Sequence, residues 1–448
     1  MTSGQPGSGA GGQTAVEPAQ TVLVDTPLIV PVPVSTRHRV VTGSVLVVVG
    51  VLCAVALGIG SKAGVDAHFN IAAPTDYFRI PTITLPARLV ALTIGALVVV
   101  LGVVQIVRGF SRRAMRWVLA VTLFGVVLAF LCWASTGNGN TIDLLNLLQQ
   151  TLILAVPLIL GAMAGVLGER SGVVNVAIEG QMLTGAFAGA MVATLAHNNG
   201  IGIAGAMAAG GLIGALLGVF AIKYLVNQVI LGVVLNLLAL GLTGFVYDAL
   251  MAPNQQTYNN PPPMNAIEIP VLSKLPVVGP LLFDQNVIVY LMYAIVVVIQ
   301  VALFRTRWGL RTRAVGEHPL AADTVGVKVR RTRYRNVILG GLVAGLGGAY
   351  FTIGQDVTFT KNITSGKGFI ALAALIFGRW SPKGAVGAAL LFGFCDALQT
   401  VLSFIGTPVT IPSSLLAMLP YLATIFAVAG LVGRVRAPAA DGVPYTGR

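Results

Sequence analysis

Apolar runs about as long as a bilayer is thick recur along the whole chain, and nothing else limits its fold so strongly. They occupy 40–59, 89–107, 117–133, 144–167, 182–195, 201–222, 229–250, 287–304, 337–353, 369–377, 385–405 and 415–432. A helix needs roughly 20 residues to cross the hydrocarbon layer. Backbone in lipid must satisfy its own hydrogen bonds, which leaves helices as the economical answer to such runs. The expectation is an all-α, polytopic integral membrane protein with about 10–12 transmembrane helices. The run 369–377 is too short to span alone, so it borrows flanking residues or forms a broken or re-entrant helix. With 56% of residues hydrophobic and only 10% charged, water-soluble enzyme folds are excluded.

A formal charge of +13 suits either nucleic acid or the cytosolic flank of a membrane protein, and position decides between them. With the N-terminus inside, only Lys62, Arg79, Arg88, Lys274, Lys361 and Lys367 fall outside, so 22 of the 28 basic residues are cytosolic. This is the asymmetry that orients polytopic proteins. Aromatic residues for base stacking are sparse among the basic stretches, with only Trp308 and Tyr334 present, so no nucleic-acid partner is expected. Residues 1–36, rich in Gly, Ala, Gln, Pro and Thr, read as a disordered cytosolic tail. Arg37, His38 and Arg39 precede the first run as they would in a signal peptide. The long tail ahead of them favours a retained helix. Plasma-membrane residence with both termini cytoplasmic follows.

Catalytic chemistry finds no footing. SGKG at 365–368 lacks the flanks of a phosphate-binding loop, and His38, His68, His197 and His318 are scattered. No cofactor, metal or catalytic residue is expected in this chain. Cys53, Cys132 and Cys395 lie inside apolar runs and read as packing residues. Gly210, Gly211, Gly214 and Gly218, and Gly340, Gly341, Gly345, Gly347 and Gly348, give two helices small faces for close packing.

Polar residues inside the runs are more informative, because each needs a partner helix, water or a solute. Asn146, Gln149 and Gln150 share one helix face, as do Asn175 and Glu179. Together with Asn236 they are the candidates for lining a translocation path. For Asn175 and Glu179 the alternative is a carboxylate near the start of the following helix that complements its dipole, and for Asn146, Gln149, Gln150 and Asn236 it is interhelical hydrogen bonding. Asp396 and Gln399 pose the same choice. Two loops are long enough to carry a function. Residues 251–286, with Asn259, Asn260 and Pro261 to Pro263, are expected to fold over the outer mouth. Residues 305–336 carry nine Lys or Arg around a non-basic island, VGEHPLAADTVGV, in which Pro319 can open a short surface helix that ends at Gly326.

Several segments together resemble one known family: LGERSGVVNVAIEGQMLTGAFAGA at 167–190, NQVILGVVLNLLA at 227–239, WGLRTRAVGEHPLAADTVGVKV at 308–329, and GKGFIALAALIFGRWSPKGAVGAALLFGF at 366–394. They resemble permease subunits of binding-protein-dependent ABC importers, in the nucleoside and simple-sugar branch, with ribose and branched-chain amino acid permeases as more distant relatives. One departure is Gln228, where that branch usually has Glu.

The resemblance implies a permease domain over 142–434, additional N-terminal transmembrane helices over 37–141, a coupling loop over 305–336 and a cytosolic tail over 435–448. It implies that Gly316, Glu317, Pro319, Ala321, Ala322 and Gly326 form the coupling helix that docks on an ATPase subunit. Ala321 and Ala322 would make the contact, and arginines such as Arg333 would only set topology. The implied partners are ABC ATPase subunits, a second homologous permease in a heterodimer, an extracytoplasmic lipoprotein binding protein, membrane lipids and a small solute such as a nucleoside. Competing readings are an ion-gradient-driven secondary transporter and a non-transporting scaffold.

Overall fold

The computed structural model describes residues 36–447 except 62–63, 72–80, 138–140, 356, 406–407, 410, 417 and 422–435. The helices in chain order are α1 (Thr36–Leu52), α2 (Ala87–Val107), α3 (Arg112–Ser135), α4 (Leu144–Glu169), α5 (Ile178–Ala196), α6 (Asn199–Gly218), α7 (Gln228–Val246) and α8 (Gln255–Tyr258). They continue as α9 (Val287–Arg305), α10 (Arg307–Glu317), α11 (Pro319–Thr324), α12 (Val329–Ala349), α13 (Lys367–Phe377), α14 (Pro382–Ile405) and α15 (Ser413–Leu416). Among the described residues, nine helices are long and apolar enough to cross a membrane. The chain is a multi-pass membrane protein. The count falls below the expected 10–12 because α5 carries Glu179 and Gln181 in its first turns and α13 has only 11 residues. The run 415–432 and the tail 1–35 lie almost wholly outside the described residues.

Helix starts follow local chemistry. Ser111, Asp143, Asn198, Asn227, Asn286 and Thr306 each precede a helix and accept a hydrogen bond from a free backbone N–H of its first turn. At these six starts the boundary between loop and helix is fixed by one polar side chain.

Buried on nearly all sides, α4 is the axis of the bundle. On one side it meets α12, which is wedged between α5 and α6, and on another it meets α13 and α14. The wedge depends on missing side chains. A Cβ on Gly345 would fall 2.3 Å from the Ala206 carbonyl, and one on Gly348 would fall 2.0 Å from the Met182 carbonyl. Where lipid removes the hydrophobic drive between helices, this backbone contact is what holds them. By contrast α7 turns Ile230, Leu237 and Phe245 outward, the pattern of a helix facing lipid or another subunit.

The N-terminal helices are not a loose appendage. Strand β1 (Asp66–Asn70) pairs antiparallel with β2 (Ile83–Pro86) and parallel with β3 (Ile142–Asp143), which leads straight into α4. Phe69, Leu131, Trp133 and Ile142 are buried together with Leu147 of α4 and Leu398 and Leu402 of α14. The loop 251–286 lies at the same end of the bundle. It carries α8 and the short pair β4 (Ile267–Glu268) and β5 (Asp284–Gln285). Asn259 fastens it by exchanging two hydrogen bonds with Phe359, to its carbonyl at 2.9 Å and from its N–H at 2.7 Å.

Candidate functional site

The opposite end carries α10, α11 and the basic start of α12. Helix α11 opens with Pro319, whose lack of an N–H costs nothing at a first turn. It closes at Gly326, where φ is +81°. Val327 N–H then reaches the Ala322 carbonyl at 3.0 Å and Gly326 N–H the Asp323 carbonyl at 2.9 Å, a closing pair that needs a left-handed residue. Gly316 sits where a Cβ would come within 2.3 Å of the Arg170 carbonyl, so the loop is pressed against the end of α4.

The island faces outward only in part. Ala322 is buried with Val315, Val329 and Tyr445, whereas Leu320 and Val325 are 68% and 78% exposed. Glu317 and Ala321 are also exposed and Pro319 is half-buried. The apolar outward surface of α11 therefore consists of Leu320, Ala321 and Val325. Arg333 also departs from expectation. It is 1% exposed, and its Nη1 donates to the Val443 carbonyl at 2.9 Å. Helix α12 begins earlier than the run 337–353, at Val329, and its buried positions Val329, Arg333, Asn336, Val337 and Gly340 repeat at helical spacing. Arg333 is thus carried to the interior by the turn of its own helix.

Most of the polar candidates inside the membrane region are tied to the protein itself. Asn175 is fully buried and pairs with Gln181 through two amide hydrogen bonds of 3.1 and 3.3 Å. Asn236 of α7 donates to the Val176 carbonyl at 2.9 Å and accepts from Gly180 N–H at 2.8 Å, which closes the first turn of α5. Gln228 Oε1 accepts from Val174 N–H at 2.7 Å. An amide oxygen serves there as a carboxylate oxygen would, which accounts for Gln at that position.

Glu179 stands in the first turn of α5 but acts on another helix. Its carboxylate accepts from Thr364 Oγ1 at 2.6 Å, Gly366 N–H at 2.8 Å and Gly368 N–H at 2.6 Å. It caps α13 from outside, at the end where the helix dipole favours an anion. The short helix α13 is therefore not an isolated fragment. At the far end of α4, Asn146 is exposed while Gln149 and Gln150 are half-buried. Gln149 Nε2 donates to the Pro280 carbonyl at 3.3 Å, as does Gln285 at 3.4 Å. The structure brings these three residues together on α4, apart from the group formed by Asn175, Glu179 and Asn236.

One charged pair was not legible in the sequence. Lys367, placed outside by charge counting, opens α13 and forms an ion pair with Asp396 of α14, a residue only 9% exposed. Aspartate inside an apolar run was the available signal, but its partner lies 29 residues away on a different helix.

Comparison with known proteins agrees with this architecture. Residues 147–429 match the family described as branched-chain amino acid transport system / permease component. The guanosine ABC transporter permease protein NupQ of Bacillus subtilis is 43% identical over 307 residues, 67% of this chain and 96% of its own length. The nucleoside ABC transporter permease protein NupC of Lactococcus lactis is 37% identical, over 68% of this chain and 98% of its own length. A putative glucose ABC transporter permease protein, TsgC13 of Haloferax volcanii, is 36% identical over 57% of this chain and 77% of its own length. No solved structure matches. The family match starts after α3 and takes in both α11 and the α13–α14 pair, so this chain belongs to the permease component family of ABC transporters and is a transporter subunit, not an enzyme.

Proposed function

We propose that the chain is the membrane-embedded permease of an ATP-driven importer for nucleosides, working with ATPase subunits, a second permease and an extracytoplasmic lipoprotein receptor. The observation that carries the reading is the alignment with two nucleoside permeases over nearly their whole length. The structure supports it through α11, a short helix outside the apolar bundle that presents Leu320 and Val325 with no cover among the described residues. With the α11 end in the cytosol, the arginines of α10 and α12 lie inside, as the positive-inside rule requires, and α4 begins at the outer face.

A nucleoside offers ribose hydroxyls and base edges, which amides recognise without charge. Asn146, Gln149 and Gln150, at the outer end of the central helix, are the residues proposed to meet it. Asn175, Glu179 and Asn236 then hold the surrounding helices in register.

The test is uptake of labelled guanosine by cells carrying the assembled transporter, with competition by adenosine, uridine, ribose, glucose and leucine. Nucleosides should compete and the others should not. Competition by glucose or leucine alone would overturn the substrate assignment. Gradient-driven uptake by the purified chain alone would overturn the ATP-driven mechanism.

A further inference from the structure

The C-terminal residues 436–447 follow the family match and have no role so far. They do not trail away from the α11 end. Ala440 N–H donates to the Gly316 carbonyl at 2.9 Å and Ala439 N–H to Glu317 Oε2 at 3.2 Å. Arg333 Nη1 holds the Val443 carbonyl and Arg330 Nη2 reaches the Gly447 carbonyl at 3.4 Å. Gly172, at φ +84°, leaves room for the Ala440 carbonyl, which a Cβ there would meet at 2.9 Å. Tyr445 is buried beneath α11 with Ala322. One segment thus touches the end of α4, α10, the inner side of α11 and α12. With Pro319, Leu320 and Ala321 it also walls a cleft of about 420 Å³.

At its centre Asp441 meets Glu169, the last residue of α4. Glu169 is 3% exposed and accepts from Trp380 Nε1 through Oε2. Its Oε1 and Asp441 Oδ1 are both sealed from solvent and, among the described residues, accept no hydrogen bond from a third group. Two ionised carboxylates can only accept, so these oxygens form a hydrogen bond only when one of them carries a proton.

We propose that residues 438–447 are a strap that positions α11, and that a proton shared by Glu169 and Asp441 holds the strap closed. The inference rests on α11 being the ATPase contact proposed above. Burial pushes the Asp441 carboxyl up, against the opposing pull of its hydrogen bond with Glu169 and of Arg333. A group whose bound-state pKa is raised favours the bound state at low pH, and that contribution is lost as pH rises above the ordinary carboxylate range and the last shared proton leaves. The other charged or titratable groups around the strap are Arg170 beyond α4, Glu317 and Arg313 on α10, His318 between α10 and α11, Asp323 on α11, Arg330 and Arg333 on α12, and Tyr445 on the strap itself. Arg333 stabilises ionised Asp441, whereas Asp323 and Arg330 act at the Tyr445 end.

The experiment uses the full-length chain in lipid nanodiscs with Cys395→Ala and a nitroxide label on Val443→Cys. That side chain is 49% exposed and can carry a label without entering the contact. Between pH 5 and 9 the label should pass from immobilised to mobile, with a midpoint above the ordinary carboxylate range. Asp441→Asn, whose amide donates to Glu169 at every pH, should keep the label immobilised throughout, and Arg333→Met should free it throughout. A label equally immobile at pH 5 and 9, or an Asn variant that titrates like the parent, overturns the shared proton. In the assembled transporter, Arg333→Met should lower guanosine-stimulated ATP hydrolysis at least fivefold, and unchanged hydrolysis overturns positioning. If Leu320→Asp leaves ATPase binding intact while the label still titrates, the α11 reading fails and the strap stands.

Discussion

Replacing Glu179 with Gln is nearly isosteric, yet it should open the mouth of α13. The carboxylate now serves three donors, Thr364 Oγ1, Gly366 N–H and Gly368 N–H, at 2.6 to 2.8 Å. An amide keeps one oxygen and turns its NH2 toward a donor, so at least one of the three loses its acceptor. A buried donor left unpaired costs roughly 1–3 kcal/mol, and the bonds that remain lose the strengthening that a charge gave them. Together these amount to about 3 kcal/mol of local destabilisation. Because every ~1.4 kcal/mol is tenfold, transient opening of 364–370 should become ~100-fold more frequent. Hydrogen exchange of peptides covering that segment, measured on the full chain in nanodiscs, reads this directly. No relaxation is available from the neighbouring backbone, since a Cβ on Gly368 would already lie 2.5 Å from Glu179 Cα. Protection unchanged within threefold would show that Glu179 does not hold α13, and would return it to the candidates for contact with the solute.

Two further outcomes follow from the same geometry. Lys367→Met leaves Asp396 charged and unpaired in an apolar bundle and should cost about 3–5 kcal/mol, seen as lost folded yield, whereas the double variant Lys367→Met/Asp396→Leu should recover most of it; equal yields from the two would refute a structural pair. On α11, Leu320→Asp should abolish retention of the ATPase by the tagged chain without loss of folded protein, and Ala322→Arg should instead reduce folded protein, because Ala322 packs inward against Val315 and Val329.

The helices were legible because lipid demands long apolar runs and because capping residues such as Asp143 and Asn286 stand at their edges. The island of α11 was legible because proline and glycine bracket it. What escaped were contacts in which the partner is a backbone atom or lies far along the chain. Arg333 reads as one more basic residue in a basic loop until α12 is extended back to Val329, and only then does its register with Asn336 and Gly340 become visible. Ala322 and Ala321 are the same residue type one position apart, so only the three-dimensional path shows that one is covered and the other free. Lys367 was assigned by loop counting, which assumes each loop stays at the surface. The segment around α13 breaks that assumption, because Glu179 draws its N-terminus against α5.

The small sheet joining β1, β2 and β3 bears on which flanks of this subunit are open to neighbours. Since β3 runs directly into α4, and Leu398 and Leu402 of α14 are buried under the N-terminal helices, that flank is occupied by the chain itself. The α7 flank, by contrast, is uncovered among the described residues. Among the described residues the subunit is thus one-sided. A companion arriving in the membrane plane finds one flank already walled by α1–α3, and any displacement of α4 during a transport cycle must carry that wall with it through the surrounding lipid.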